Sequence, residues 1–232
     1  GGLVIDDSGL QGNPIIFSAY GTGDKPVFKN PGGSDNWTSA IEVDADWVVV
    51  DGFELRDAYY AGVHIKTGAE NNIVRNCEAT SVGQGVVLSG EKNLVTNNYM
   101  HDLTMVRNTP GGDDDFGAQG VKLYGSYNEV SYNTVVNAIA PSYDYETDGG
   151  VIEWWGDVDG CYIHHNYGAW SDGFLEIAGG TIRDNVVAYN ISLNNGRFAV
   201  LHLGGTFSAD IQNLSIEHNT IVEKDLGEGW RH

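Results

Sequence analysis

Short apolar runs, most of them three to five residues long, alternate with turns rich in Gly, Asn and Asp along the whole chain. No stretch carries the 3.6-residue period of an amphipathic helix, so the pattern predicts an all-β protein. In many runs a polar residue stands between two apolar ones. Because successive side chains of a strand point to opposite faces, we expect the apolar pair inside and the middle residue outside.

This apolar–polar–apolar pattern recurs at a nearly constant interval. The middle residues are 22, 23, 35, 31, 23 and 26 positions apart, which indicates a base period near 23 with two longer gaps. Strand repeats of this length are typical of a parallel β-solenoid, in which each repeat forms one coil. The middle residues form a predicted outward column, which consists of Glu42, His64, Val87, Lys122, Glu153, Glu176 and His202.

A second periodic feature fixes the same register. In most repeats Asn follows an apolar residue by three positions, and the pairs are Val95/Asn98, Val130/Asn133, Ile163/Asn166, Val187/Asn190 and Ile216/Asn219, with Val74/Cys77 in the equivalent place. An inward Asn at a bend bonds to the coils on either side and satisfies amides that the corner would leave unpaired. We therefore expect an asparagine ladder along one corner.

The repeat, written GV-x-L-x-G-x-x-N-x-V-x-x-N, resembles that of the pectate lyase-like superfamily. The opening stretch, GNPIIFSAYGTGDKPV over residues 12–27, is similar to the first coils of bacterial secreted members. The resemblance implies an all-β, right-handed parallel β-helix over residues 1–232, one domain with coils of about 23 residues. It also implies a polysaccharide substrate and a secreted or cell-surface location, in a bacterium. Because such relatives carry a first coil and a cap, we expect missing N-terminal or C-terminal segments of the same precursor.

Charge narrows the choice of partners. The chain has 32 acidic and 12 basic residues, a formal net charge of −20. Nucleic acids and anionic lipids are bound through Lys and Arg, so the charge argues against both. No apolar stretch is long enough to span a membrane. An anionic polysaccharide would need bound cations to approach this surface.

Glu153 and Glu176 occupy successive positions of the predicted column. Facing like charges on a sheet cost about 0.2–1 kcal/mol, so the pair favours a functional role over plain surface charge. In a partly buried cleft, repulsion would keep one carboxyl protonated and the other charged, as acid–base chemistry requires. Lys122 and His202 extend this line of ionisable groups on either side.

The two longer gaps predict loop insertions at residues 101–119 and 138–148, next to the strands of Lys122 and Glu153. Long loops on a rigid scaffold are commonly binding loops. The first insertion contains three consecutive acids, for which Ca²⁺ ligation and a solvated turn both stay open; these are Asp113, Asp114 and Asp115. The candidate sugar-binding residues are Tyr124, Trp155, Tyr143, Asp144, Tyr145 and Arg197.

A glycoside hydrolase is the first of three functions that the sequence leaves open. It needs a protonated carboxyl and a carboxylate, which Glu153 and Glu176 supply, and it requires no cofactor. Asp148, Asp172 or Asp144 is a possible third carboxylate. The order Glu153, Glu176, His202 on successive coils resembles that of polygalacturonase-type hydrolases, although the match is one of position only.

The other two functions use the same column differently. A Ca²⁺-dependent polysaccharide lyase would use Lys122 as the base that abstracts the proton α to a uronate carboxylate. We rank it second, because the charge of Glu153 favours the protonated lysine. The third function is a non-catalytic glycan-binding, adhesin or tailspike-type β-helix.

Overall fold

A computed structural model describes residues 2–33 and 37–223 of the chain. Every secondary-structure element assigned in these ranges is a strand, and none of the described segments is a helix able to cross a bilayer. In chain order the strands are β1 (Leu3–Ile5), β2 (Ile15–Ser18), β3 (Val27–Asn30), β4 (Ser39–Val43), β5 (Val48–Asp51), β6 (Glu54–Ile65), β7 (Ile73–Arg75), β8 (Glu78–Leu88), β9 (Leu94–Thr96), β10 (Tyr99–His101), β11 (Met105–Arg107), β12 (Phe116–Gly117), β13 (Gln119–Leu123), β14 (Glu129–Ser131), β15 (Thr134–Val136), β16 (Ala140–Ser142), β17 (Glu146–Asp148), β18 (Gly150–Trp155), β19 (Val158–Asp159), β20 (Tyr162–His164), β21 (Tyr167–Ala169), β22 (Leu175–Ala178), β23 (Thr181–Arg183), β24 (Val186–Ala188), β25 (Ile191–Leu193), β26 (Ala199–Leu201), β27 (Asp210–Gln212), β28 (Ser215–Glu217) and β29 (Thr220–Val222).

Most strands pair in parallel with the strand one coil away, which confirms the predicted parallel β-helix. The first face runs β1-β4-β6-β8-β13-β18-β22-β26, and the second runs β2-β5-β7-β9-β14-β20-β24-β28. The third face runs β3-β6-β8-β10-β15-β21-β25-β29. The long strands β6 and β8 bend around a corner and contribute to the first and third faces. The hand of the coil and its length stay predictions.

Apolar residues from successive coils stack inside the helix and form its core. Ile152, Trp154, Leu175 and Ile177, which the alternation pattern placed inside, are each at most 1% exposed. Burying a large apolar side chain contributes roughly 1.5–3 kcal/mol. These inward residues therefore fix the register of β18 and β22, and with it the outward direction of the residues between them.

The predicted asparagine ladder is present at the corner between the second and third faces. The amide of Asn98 donates to Oδ1 of Asn133 at 3.0 Å, and Nδ2 of Asn133 donates to the carbonyl of Val95 at 2.9 Å. The same bonds repeat at Asn166 and Asn190. The ladder satisfies buried backbone groups that the bend removes from the strand pairing.

A second ladder, which the sequence analysis missed, lies five residues earlier in each coil. It consists of Asn72, Asn93, Asn128, Cys161 and Asn185, and each Asn accepts a buried backbone amide of the neighbouring coil. Its signal is a second Asn five positions before the first, as in Asn93/Asn98. Cys77 stands in one ladder and Cys161 in the other, and both are free and buried.

The outward column has the predicted register through Glu176 and departs from it afterwards. Lys122 pairs with Glu153 and Glu153 with Glu176, but the next partner is Val200, so the position predicted for His202 was wrong. Leu201-His202-Leu203 imitates the apolar–polar–apolar pattern, yet β26 ends at Leu201 and Leu203 is 70% exposed. The strand pairing instead aligns Ala199 and Leu201 with the inward Leu175 and Ile177, which puts Val200 beside Glu176.

Candidate functional site

A cleft of about 680 Å³ lies over the first face, where β13, β18 and β22 carry the outward column. Its wall contains six aromatic residues, which are Trp37, Phe116, Tyr124, Tyr145, Trp155 and Phe207. The ionisable residues that line it are Asp113, Asp114, Asp115, Lys122, Asp148, Glu153, Glu176, Arg197 and His202, and Gln119, Thr147 and Val200 complete the lining. The volume lies in the range of sites that bind small molecules.

Lys122 and Glu153 form an ion pair on the floor of the cleft. Their exposures are only 2% and 5%, and Nζ of Lys122 bonds to Oε1 of Glu153. The ammonium lies 4.8 Å from the ring centroid of Trp155 and 5.5 Å from that of Tyr124. Burial raises the pKa of Glu153, and the adjacent Lys122 charge opposes that shift. Because the charges of Lys122 and Glu153 compensate each other, both groups are able to stay buried on the floor of the cleft.

Asp148 is a carboxyl of the cleft whose acidity is strongly altered. Burial, followed by the charge of Glu153, raises its pKa to about 8, and the charges of Glu176 and Asp172 add to the shift. One hydrogen bond, from the amide of Gly149 at 2.7 Å, opposes it. The Asp148 carboxyl is therefore protonated at neutral pH and able to donate that proton.

Glu176 and His202 form a second pair at the edge of the cleft. Nε2 of His202 lies 2.9 Å from Oε1 of Glu176, and both side chains are about one-third exposed, at 30% and 31%. His202 thus meets Glu176 from the position directly after β26, although it is not a member of the column. Glu176 is the outward carboxylate of this floor that keeps access to the cleft.

Asp172 lies beside the cleft, not in it. Its Oδ2 bonds to Nη2 of Arg197, and its Oδ1 accepts the hydroxyl of Thr147 at 2.7 Å. Arg197 and Thr147 line the cleft, so Asp172 holds both of them from behind. This arrangement makes Asp172 a positioning residue.

The two loop insertions form antiparallel hairpins, β11/β12 and β16/β17, which are bound to each other through Asp115. Its carboxylate accepts the amides of Thr109, Tyr143 and Asp144 and the hydroxyl of Ser142, at 2.6–3.1 Å. Burial opposes ionisation, but these hydrogen bonds lower the pKa of Asp115 below its usual value. Asp115 thus connects the two hairpins above the cleft. We call this cluster the clasp; it consists of Asp115 with Thr109, Ser142, Tyr143 and Asp144.

Of the three predicted Ca²⁺ ligands, Asp114 and Asp115 lie together with Asp144, whereas Asp113 is not part of this cluster and bonds to Tyr145. Oxygen atoms of Asp114, Asp115 and Asp144 lie within 4.8 Å of one another, a spacing suited to a cation. However, Asp144 already accepts the amides of Asp114 and Asp115, and Arg107 forms an ion pair with Asp114 at 2.6 Å. Protein donors use most of these oxygens, but Oδ1 of Asp114 is buried without a hydrogen-bond partner among the described residues, and Ca²⁺ binding stays a prediction.

Two further predicted binding residues do not line the cleft. Tyr143 is exposed near the tip of the β16/β17 hairpin, and the Asp144 carboxylate is turned toward backbone amides of the other hairpin. Their neighbour Tyr145 does line the cleft. The sequence placed all three together because it gives no orientation within a hairpin.

Much of the aromatic wall was not predicted from the sequence. Trp37 stacks on Phe116 at a centroid distance of 5.5 Å, and Trp155 contacts Phe207 at 5.2 Å. Trp37 and Phe207 belong to loops that carry no repeat pattern. Phe116 directly follows the acidic run, which was the one available signal.

The comparisons with known proteins find likeness in structure only. Neither family models nor curated proteins match the sequence. An alginate lyase from Paenibacillus sp. str. FPU-7 superposes with a TM-score of 0.66 and 14% identity, over 96% of this chain and 88% of the lyase. The pectate lyase Pel9A gives a TM-score of 0.53 and 14% identity, over 97% of this chain and 65% of that protein. The chain therefore has the pectate lyase-like parallel β-helix fold, as the sequence resemblance implied.

Proposed function

We propose that this protein is a glycoside hydrolase that cleaves a polysaccharide in the cleft, outside the cell. Asp148 is the general acid and Glu176 is the general base. The observation that carries the proposal is the difference in environment between these two carboxyls. Burial and neighbouring charge raise the pKa of Asp148 to about 8, while Glu176 is partly exposed beside His202. Glycoside hydrolysis requires this division of roles between two carboxyls.

The remaining residues have supporting roles in the proposal. Burial and, after it, the charge of Glu153 keep Asp148 protonated, and Lys122 holds Glu153 in place. The faces of Trp155 and Trp37 suit the apolar C–H faces of sugar rings. Solved polysaccharide lyases that share this fold make a polysaccharide the natural ligand class for this cleft, but at 14% identity they do not decide the reaction.

A uronate lyase is the second candidate. It is favoured by three groups that line the cleft and are able to neutralise a uronate carboxylate, namely Lys122, Arg197 and His202. The geometry favours hydrolysis, because Lys122 is ion-paired and burial raises the pKa of Tyr124 to about 12. Neither group is a ready base for proton abstraction at neutral pH.

The direct test uses Asp148→Asn and Glu176→Gln, with Glu217→Gln as the matched control. Glu217 is exposed on the second face, so Glu217→Gln makes the same chemical change to a side chain outside the cleft. On a panel of neutral and acidic glycans, we expect each cleft variant to lower kcat by about 10²–10⁴-fold while glycan binding is retained. The control should keep the wild-type rate.

Three results would contradict the proposal. Products with an unsaturated uronate at the non-reducing end would identify a lyase. Wild-type binding without turnover on every glycan would identify a binding protein. Full activity of Asp148→Asn would remove the proposed acid.

A further inference from the structure

A small cavity, here called the notch, lies beside Glu153 and Glu176 of the outward column. Its volume is about 10 Å³, and Gly149, Gly150, Gly173, Glu153, Glu176 and Arg197 are among its lining residues. This is about the volume needed to admit the centre of one water molecule, and it is far too small for a sugar ring. A water at such a site needs two to four polar partners, and the notch is lined by three residues that carry polar groups, namely Glu153, Glu176 and Arg197.

The notch exists because two positions of the neighbouring outward column lack side chains. On preceding coils this column carries Gln84 and Gln119, whose amides bond to each other at 2.7 Å. The next coil has Gly150 at the same position, paired with Gln119, and a Cβ on Gly150 would point to the carbonyl of Gly173. The side chain of Gln119 therefore fills the surface beside Lys122, whereas no side chain fills it beside Glu153 and Glu176.

We propose that this notch binds the nucleophilic water of the reaction and that the enzyme inverts the anomeric configuration. The inference rests on the proposed hydrolase function and adds its stereochemistry. The water oxygen bonds to the anomeric carbon as the bond from that carbon to the leaving oxygen breaks. Glu176 takes the proton of the water, and the leaving oxygen takes the proton of Asp148. One water is consumed for each glycosidic bond.

The reason for assigning an inverting reaction is the presence of space beside the base. A retaining enzyme places its carboxylate directly on the anomeric carbon, whereas an inverting enzyme leaves room for a water between them. Glu153 is paired with Lys122, so Glu176 is the partner that accepts the proton.

Gly173→Ala is the variant that tests the notch. A Cβ on Gly173 meets nothing closer than Cγ of Arg197 at 3.4 Å, an ordinary contact, so the fold tolerates the methyl group. The methyl group occupies space that the water needs. We expect kcat to fall about 100-fold, with KM changed less than about threefold and Tm preserved, because misplacing one reacting group costs about that much. Gly204→Ala is the control, since a Cβ there has open space around it.

The stereochemistry gives an independent test that needs no variant. Proton NMR of the first product from the wild-type enzyme should show the inverted anomer before mutarotation. A retained anomer, or wild-type kcat for Gly173→Ala, would overturn the notch assignment and leave the hydrolase intact. If no reducing ends form at all, the proposed function itself is wrong. Should Gly173→Ala fail to fold, the anomer formed by the wild-type enzyme decides the matter.

Discussion

At the scale of single residues, burial and neighbouring charges give the carboxyls of the cleft different environments. Asp148, Glu153, Glu176 and Asp172 lie close enough for each of the last three charges to act on the first. Glu153 and Asp172 are compensated by Lys122 and by an arginine. Asp148 also feels the charge of Arg197, but burial and the charges of the other three carboxyls outweigh it, so Asp148 keeps its proton.

The pH dependence of the rate follows from this proton. Asp148 acts in its protonated form, so kcat/KM should fall as pH rises through about 8. Between pH 7 and pH 9 the loss should be roughly tenfold, measured as release of reducing ends. Glu217→Gln should follow the wild-type profile, and Asp148→Asn should lack the alkaline limb. A wild-type rate that stays constant to pH 10 would rule out Asp148 as the acid.

The Lys122–Glu153 pair gives a prediction about stability. Lys122→Met leaves a buried carboxyl without its counter-ion, which should lower the free energy of unfolding by about 3–5 kcal/mol. The double variant Lys122→Met/Glu153→Leu removes both charges and should recover most of that loss. Urea unfolding of the wild type, both single variants and the double variant measures the coupling. Additive losses would mean that the two charges do not depend on each other.

At the scale of structural elements, the corners of the coil are held by side-chain amides. Asn166 is the clearest example, because it accepts the amide of Asn133 at 3.0 Å and donates to the carbonyl of Val130 at 2.8 Å. Asn166→Ala should lower the free energy of unfolding by about 3 kcal/mol, since it leaves two buried backbone groups unpaired. Asn108→Ala, on an exposed loop, should cost less than about 1 kcal/mol. Equal losses in urea unfolding would mean that burial adds nothing to the ladder.

Elements that repeat were predictable from the sequence, and elements that do not repeat were not. The 23-residue spacing and the Asn positions place Glu153 beside Glu176 without any structure. The last coil was misaligned because Leu201-His202-Leu203 and Ala199-Val200-Leu201 both satisfy the strand pattern. Only the packing of the coil distinguishes them.

The contacts between the loops could not be predicted from the sequence, for a physical reason. The clasp joins Asp115 to residues 27 to 29 positions further along the chain, and no local pattern encodes such a contact. Trp37 reaches the cleft from a distant part of the chain and stacks on Phe116. The sequence therefore predicted the floor of the site and left most of its walls unknown.

At the scale of the whole molecule, charge should select among glycans. The formal net charge is −20, and acids outnumber bases in the cleft lining. Binding of a polyuronate should therefore strengthen as salt rises from about 0.01 M to about 0.5 M, because salt screens the repulsion. Binding of a neutral glycan should change little. Calorimetry at both salt concentrations tests this, and a polyuronate that binds more weakly at high salt would contradict it.

The most direct test of the central claim follows the oxygen of water into the product. Wild-type protein is incubated with its glycan in ¹⁸O-enriched water, and the new chain ends are analysed by mass spectrometry, with Asp148→Asn as the background control. The account predicts one ¹⁸O at each new reducing end and no unsaturated residue. New ends without ¹⁸O, each matched by an unsaturated residue, would show elimination and contradict hydrolysis in this cleft.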